Sequence, residues 1–453
     1  MKKFIVLFCL LLFIMLLLSS SLTTQESLSI ALFVFVFLEF LHDLGKRLVI
    51  MDFMIQAAFF TCLVMPVIFY HLYTRENYLA RIWVKYMPIT SEDYFSYALP
   101  AVIALAIGLR IPIKNLRIDK NPDVYMKNVQ TYLRGKHNLG LYLIAIGVIS
   151  GLLNFLASTD LKQVFYLMEH LTYVGVFYVI YSPYKKKKLI VIGVIALMIG
   201  QTIAAGMFGE LIYLLACSLT LIVLGKKISF RLKVGFAVMG ILLILILQSI
   251  KIDYRKRNWL EGEGADPVYF AQLIGSRITD LNTLLDPDNL FFTSVRMNQG
   301  WLVAITMKQV PLKHPFADGE TIAKSVAATI VPRFLWPDKP EAGGKANLKR
   351  FWGYDLKGYS MNIGPLGEGY ANFDRTGGIF YVFIYGLFFN FMLASVVKFA
   401  EKRPTIILWL PFLFFYTLSV ETDLLTTMGS LIKGLFFTWI VFKIFSIGFR
   451  IEL

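Results

Sequence analysis

A chain of 453 residues with 57% hydrophobic residues, 15% aromatic residues and a mean hydropathy of +0.64 carries far more apolar surface than a water-soluble fold can bury, which excludes that class. The formal net charge of +15 suggests nucleic acid as a partner, but the basic residues cluster in short gaps between apolar runs, where they set orientation in a membrane. Cys9, Cys62 and Cys217 lie inside apolar runs with neither disulfide nor zinc spacing, which makes them small buried hydrophobes.

In chain order, Lys2 and Lys3 precede an apolar run ending at Ser19, Ser20 and Ser21. The run is longer than the apolar part of a signal peptide and no A-x-A site follows, so it reads as a first span over 4–23, with a cleaved leader as the alternative. Further spans are predicted at 27–45, 49–72, 94–109, 138–157, 163–182, 189–205, 208–224, 233–250, 379–397, 405–420 and 431–448. The alternate gaps are basic: Lys46 and Arg47, Arg110 to Lys136, Lys185 to Lys188, Lys226 to Lys233 and Lys398 to Arg403. Positive-inside counting therefore predicts an all-α polytopic membrane protein of about twelve helices with both termini cytoplasmic. Residues 1–250 hold nine helices, 251–378 form one large, partly helical extracytoplasmic loop, and 379–453 hold the last three helices.

The loop mixes basic and acidic residues almost evenly, unlike the cytoplasmic gaps, so its cations need a reason other than orientation. Its length and aromatic content suit an ordered, functional segment. Apolar periodicity predicts helices over Phe292 to Val310 and over Glu320 to Val331, the second stopped by Pro332. Trp336-Pro337-Asp338-Lys339 reads as a type I turn holding Lys339 on a rigid corner. Gly364, Gly367 and Gly369 predict a tightly bent backbone ahead of the tenth span.

Several signatures fail. Gly344-Lys345 lacks the first glycine and the Ser/Thr of a P-loop, and Gly367-x-Gly369-x-x-Asn372 departs from the dinucleotide fingerprint. Asp286-Pro287-Asp288 has the spacing of a metal-dependent sugar-nucleotide site but falls on the side where nucleotide sugars are absent, which favours a solvated turn. Glu421 and Asp423 are candidates for a divalent metal or for ordinary polar positions between spans. The cations Arg255, Arg257, Arg277, Arg296, Arg333, Lys339 and Arg350 all fall on the outer side. Arginine forks bind phosphate oxygens bidentately and stay charged, which suits neutralisation of a departing pyrophosphate. The competing reading pairs them with the loop's own acids or with lipid headgroups. Trp336, Phe351, Trp352, Tyr354, Tyr359, Tyr370 and Phe373 either stack on sugar rings or form the loop's core. Glu368, Asp374, His314 and Asp318 are candidate general bases, Glu368 first because its glycine neighbours leave room for substrate. Glu39, His42, Asp43 and Asp52 fall near the cytoplasmic side, Gln201 and Glu210 flank the outer tip between the seventh and eighth spans, and Lys433 sits near the outer end of the last, as pathway residues or as snorkelling ones.

Four segments carry a family resemblance: Ser294-Val295-Arg296-Met297-Asn298-Gln299-Gly300, Pro315 to Thr321, Pro332-Arg333-Phe334-Leu335-Trp336-Pro337-Asp338-Lys339-Pro340, and Gly367 to Phe373 leading into a span. With the many spans and one large outer loop, they resemble oligosaccharide repeat-unit polymerases, the Wzy-type O-antigen and capsule polymerases. The resemblance implies a GT-C-like, metal-independent glycosyltransferase of the bacterial inner membrane that needs no cofactor. It would join undecaprenyl-pyrophosphate-linked repeat units at the outer face, among membrane lipids and beside a flippase and a chain-length regulator, without nucleic acid. By carry-over Arg296 and Arg333 contact pyrophosphate with support from Lys339; the residues' own chemistry makes Glu368 the expected base and Arg255, Arg257, Arg277, Arg350, Trp336 and Tyr370 the expected substrate-binding set. Relatives carry an Arg at an outer tip where this chain has Gly206-Met207-Phe208-Gly209-Glu210, so another Arg replaces it or that part fails. A lipid-linked polysaccharide ligase and a flippase or transporter are the alternatives.

Overall fold

The computed structural model describes residues 2–453 except 20, 114–121, 137, 155–158, 265, 281, 283, 285, 334, 358 and 359. Tyr359 of the aromatic set lies outside the described residues. Those described form helices and loops without a strand.

The amino-terminal half comprises α1 (Lys2–Leu18), α2 (Thr24–Asp43), α3 (Ile50–His71, with a π turn at Phe60–Val64), α4 (Tyr78–Ile82) and α5 (Ser91–Arg110). Then follow α6 (Pro122–Leu133), α7 (Leu139–Asn154), α8 (Thr159–Glu169), α9 (Leu171–Tyr181), α10 (Lys187–Ala205), α11 (Gly209–Val223) and α12 (Phe230–Arg255). The loop region contributes α13 (Pro267–Thr279), α14 (Pro287–Met297), α15 (Gln299–Gln309), α16 (Glu320–Ile330) and α17 (Lys345–Trp352). The chain ends with α18 (Gly364–Phe399), a short α19 (Leu410–Leu413) flanked by 3-10 turns, and α20 (Leu424–Gly448). Among the described residues, eight stretches are helical, long and apolar enough to cross a membrane: α2, α3, α5, Leu161–Tyr181, α10, Phe230–Trp259, α18 and α20. With apolar side chains exposed along α12, including Phe236, Met239 and Leu243, this is a helical, multi-pass membrane protein.

Polar residues start the helices. Thr23 and Glu26 form a reciprocal capping box on α2, and Asp266, Asp286 and Asp423 accept backbone N–H groups at the starts of α13, α14 and α20. Asp286 of the D-x-D is thus a helix cap, the solvated-turn reading in substance. At the centre α5 and α18 cross closely: a Cβ on Gly386 would meet Leu105 O at 2.7 Å. The α7–α9 crossing is of the same kind, with Gly140 and Gly175 each approaching the other's carbonyl. Near the ends of α2 and α5, Arg110 bridges Glu39 and Asp52 at 2.6 Å each, while Arg47 binds Asp52 with both terminal nitrogens and Asp43 through Nε. Glu39, Asp43 and Asp52 are therefore ion-paired.

Three expected elements differ. The helix expected over 292–310 is two, because Asn298 ends α14 and turns its side chain to cap Trp301 N at 3.0 Å. The span expected over 405–420 is an irregular run of 3-10 and α turns, opened by Pro404 and interrupted by Pro411. The glycine-bent strip before 379 is helical: α18 starts at Gly364, and its interruption falls at Asp374, whose φ of 58° breaks the helical path.

Candidate functional site

Arg296 sits in the last turn of α14 because Asp286 and Pro287 start that helix and Phe291 and Thr293 bury its inner face. Its guanidinium meets Glu421 at 2.6 Å, and that carboxylate raises the Arg296 pKa. Glu421 belongs to the link between α19 and α20, and Gln299 Nε2 ties that link to the loop by donating to Asn362 O at 3.1 Å and Glu421 O at 3.4 Å. Together they border a cleft of about 370 Å³ lined by Arg296, Lys85, Trp301, Asn362 and Glu421. Lys85 Nζ stands 3.6 Å over the Trp301 ring, and burial pushes its pKa down.

The end of α12 adds two more cations. Lys251 lies within electrostatic range of Arg255, Arg296 and Glu421. Arg255 donates from Nε to Gly206 O at 2.8 Å and stacks 4.4 Å from the Trp259 ring. Arg255 is thus anchored on the very tip, between α10 and α11, that lacks an arginine of its own. Tyr213 of α11 interacts electrostatically with both Arg296 and Glu421. Arg296 pairs with Glu421, Lys251 lies in range of both, and Arg255 lies in range of Arg296 and Lys251, a surplus of positive charge around one carboxylate that favours a multiply charged anion.

Arg333 and Lys339 form a second group. Lys339 Nζ donates to Ala328 O and Val331 O at 2.7 Å each and so caps α16, while burial and the nearby Lys433 and Arg333 hold its pKa down. The turn at 336–339 is present, with Lys339 N donating to Trp336 O at 3.2 Å. Exposed Arg333 spends one nitrogen on Pro337 O at 3.1 Å. Lys433 of α20 lies in electrostatic range of Arg333. No described contact joins this group to Arg296.

Other expected site residues serve the fold. Arg257 pairs with Glu263 at 2.6 Å and Asp266 at 3.3 Å, Arg277 with Asp253 at 3.0 Å, and Arg350 with Glu320 at 4.0 Å. For these three the pairing with the loop's own acids prevails. Tyr370 is buried and donates to Val310 O at 3.3 Å, so its ring is core, and Trp336 is half-buried beside the 336–339 turn. Glu368 is fully buried. Its Oε1 accepts from Asn347 Nδ2 and its Oε2 from Leu424 N, both at 2.8 Å. The room foreseen around it is filled by α17 and the start of α20, so in this conformation the carboxylate is a latch with no access for a sugar hydroxyl. Glu421 binds Arg296, and no group of three metal-ligating side chains occurs among the described residues.

The pattern of residues missed Lys85 and Lys251 and offered Lys433 only as a pathway or snorkelling residue. Lys251 and Lys433 sit on or beside apolar spans, where a lone lysine reads as a snorkelling end; the only available signal was that each falls on the outer side.

No curated protein matches the chain, and neither does any solved structure. The family described as "Domain of unknown function (DUF8712)" matches residues 95–403, more than half of the chain, a range that holds Arg255, Arg296, Arg333 and Glu368 but ends before Glu421. The chain belongs to the DUF8712 family.

Proposed function

We propose that this protein is a metal-independent glycosyltransferase of the inner membrane that joins undecaprenyl-pyrophosphate-linked oligosaccharide repeat units into a surface polysaccharide. The observation that carries this reading is the convergence of Arg296, Arg255 and Lys251 beside one carboxylate, at the outer ends of helices in a lipid-embedded chain. Such a niche is chemically matched to a lipid-borne pyrophosphate, whose charge grows as the glycosidic C–O bond breaks. Arg255 on the Gly206 tip supplies from α12 the cation that the tip itself lacks. Arg333, with Lys433 beside it, offers a second place for phosphate. In this reading α1, α7, α11 and the run 404–413 cross with the eight long helices, for twelve crossings in a GT-C-like arrangement with cytoplasmic termini.

Deleting the gene and resolving lipid-linked and surface glycans on gels tests it. A polymerase mutant leaves single repeat units, and Arg296→Ala and Arg333→Ala reproduce that pattern at normal protein level. Accumulation of long undecaprenyl-linked polymer would instead identify a ligase, and single units trapped facing the cytoplasm a flippase; full-length chains in both variants would remove the two arginines from the reaction.

A further inference from the structure

Glu368, the first-ranked base, is withdrawn into the core, and a different part of the molecule offers a base beside a cavity. Helices α8 and α9 are interrupted at a single residue, His170, in the middle of the 161–181 stretch. His170 lies roughly 16 Å along the axis from the start of α8 at 1.5 Å per residue, well inside the bilayer from that end. An ionisable side chain at such depth needs a partner or a purpose.

The ring is held on several sides. Nδ1 lies 2.8 Å from Tyr166 O, and a carbonyl only accepts, so Nδ1 carries the hydrogen. In the neutral ring this leaves the lone pair on Nε2. The rings of Tyr166, Tyr173 and Phe412 pack at centroid distances of 4.6, 5.4 and 5.5 Å and prevent the imidazole from turning.

His170 lines a cavity of about 660 Å³, within the range of ligand sites. Besides the charged Lys162 and Glu169, its walls offer the two kinds of group a sugar requires. Asn154, Gln201 and Thr202 give hydroxyl partners, and Tyr173, Phe412 and Phe415 give aromatic faces. Asn154 Oδ1 is buried there with no donor among the described residues. The cavity adjoins the arginine niche through shared elements. Met207 lines it one residue from the Gly206 carbonyl that holds Arg255, and Phe415 of its wall packs on Tyr213, which senses Arg296.

We infer that this cavity is the acceptor-sugar site and that His170 Nε2 is the general base of the reaction, an inference that rests on the polymerase reading. The acceptor hydroxyl oxygen forms the new bond to the donor anomeric carbon as the bond from that carbon to the pyrophosphate oxygen breaks. The bonding pair leaves with the pyrophosphate into the Arg296 niche, and the hydroxyl proton passes to Nε2.

His170→Asn separates this role from a structural one. An asparagine Nδ2 reproduces the donor to Tyr166 O and removes the acceptor at the Nε2 position. The assay is single-turnover consumption, by membranes holding each variant, of lipid-linked repeat units extracted from the deletion strain. His170→Asn is expected at parental protein level with a rate about 100-fold or more below the parent, the usual scale for a lost base. Ala205→Trp, which places a bulky ring in the cavity from the end of α10, is expected to lose turnover as well. If Arg296→Ala is inactive while His170→Asn and Ala205→Trp both turn over like the parent, the base and the cavity are overturned and the polymerase reading stands. If the parent itself leaves the extracted units unchanged, the polymerase reading is overturned, and this inference with it.

Discussion

Arg296 and Lys339 carry the same charge in the same loop region, yet they are bound differently. Arg296 faces one carboxylate, and its side chain is 58% exposed, so the pair adds about 0–1 kcal/mol to stability. Lys339 places its ammonium on two carbonyls at the end of α16, an interaction worth about 1 kcal/mol. Arg296→Ala should therefore leave the thermal midpoint of the detergent-solubilised protein near that of the parent while abolishing polymer. Lys339→Met should lower the midpoint and weaken polymer only as far as folded protein is lost. A Lys339→Met protein of parental stability that makes no polymer would return Lys339 to the phosphate site. Residue type alone could not separate these roles, because both side chains are cations beside apolar helices. Only the register of the 336–339 turn against the end of α16 shows where the Lys339 ammonium is spent.

At the scale of elements, the outer region is closed by a latch between α17, the start of α18 and the start of α20. Asn347 holds Glu368, which takes the first N–H of α20, and Asp423, the cap of that helix, lies within electrostatic range of Glu368. Burial pushes the Asp423 carboxyl above its ordinary value of 3.8. The folded state thus keeps a proton that the unfolded chain releases once pH passes that value. Stability is full below it and falls as pH rises through the window up to the raised folded value. Raising pH upward from 3.8 should lower the thermal midpoint, and Asp423→Asn, which caps as well, should flatten that slope. Identical slopes in parent and variant would show that the proton is not held there. Helix 320–330 was legible because Ile322, Val326 and Ile330 recur every four residues. The latch was not, because glycines at 364, 367 and 369 read as a bend, whereas tertiary packing makes that stretch helical. The site was legible in part: Arg296 could be picked out on a loop helix, but its partners Lys251 and Glu421 come from distant segments that no local period connects.

For the whole molecule, charge segregation and helix placement combine into one vectorial expectation. The basic gaps at 46–47, 185–188 and 226–233 share one side, and the loop carrying Arg296, Arg333 and α16 takes the other, since α12 crosses between them. Sidedness tests the proposed chemistry: on the outer side the cations would meet lipid-linked pyrophosphates after translocation, whereas on the inner side they would meet nucleotide sugars. The three native thiols, Cys9, Cys62 and Cys217, are buried and give a low labelling background. A cysteine at exposed Asp338, in the turn beyond α16, should react with a membrane-impermeant maleimide in intact spheroplasts. A cysteine at exposed Lys186, between α9 and α10, should react only after the membrane is opened. The reverse pattern would place the arginine niche in the cytoplasm and remove lipid-linked repeat units as its substrate, because translocation would then precede nothing the niche could act on.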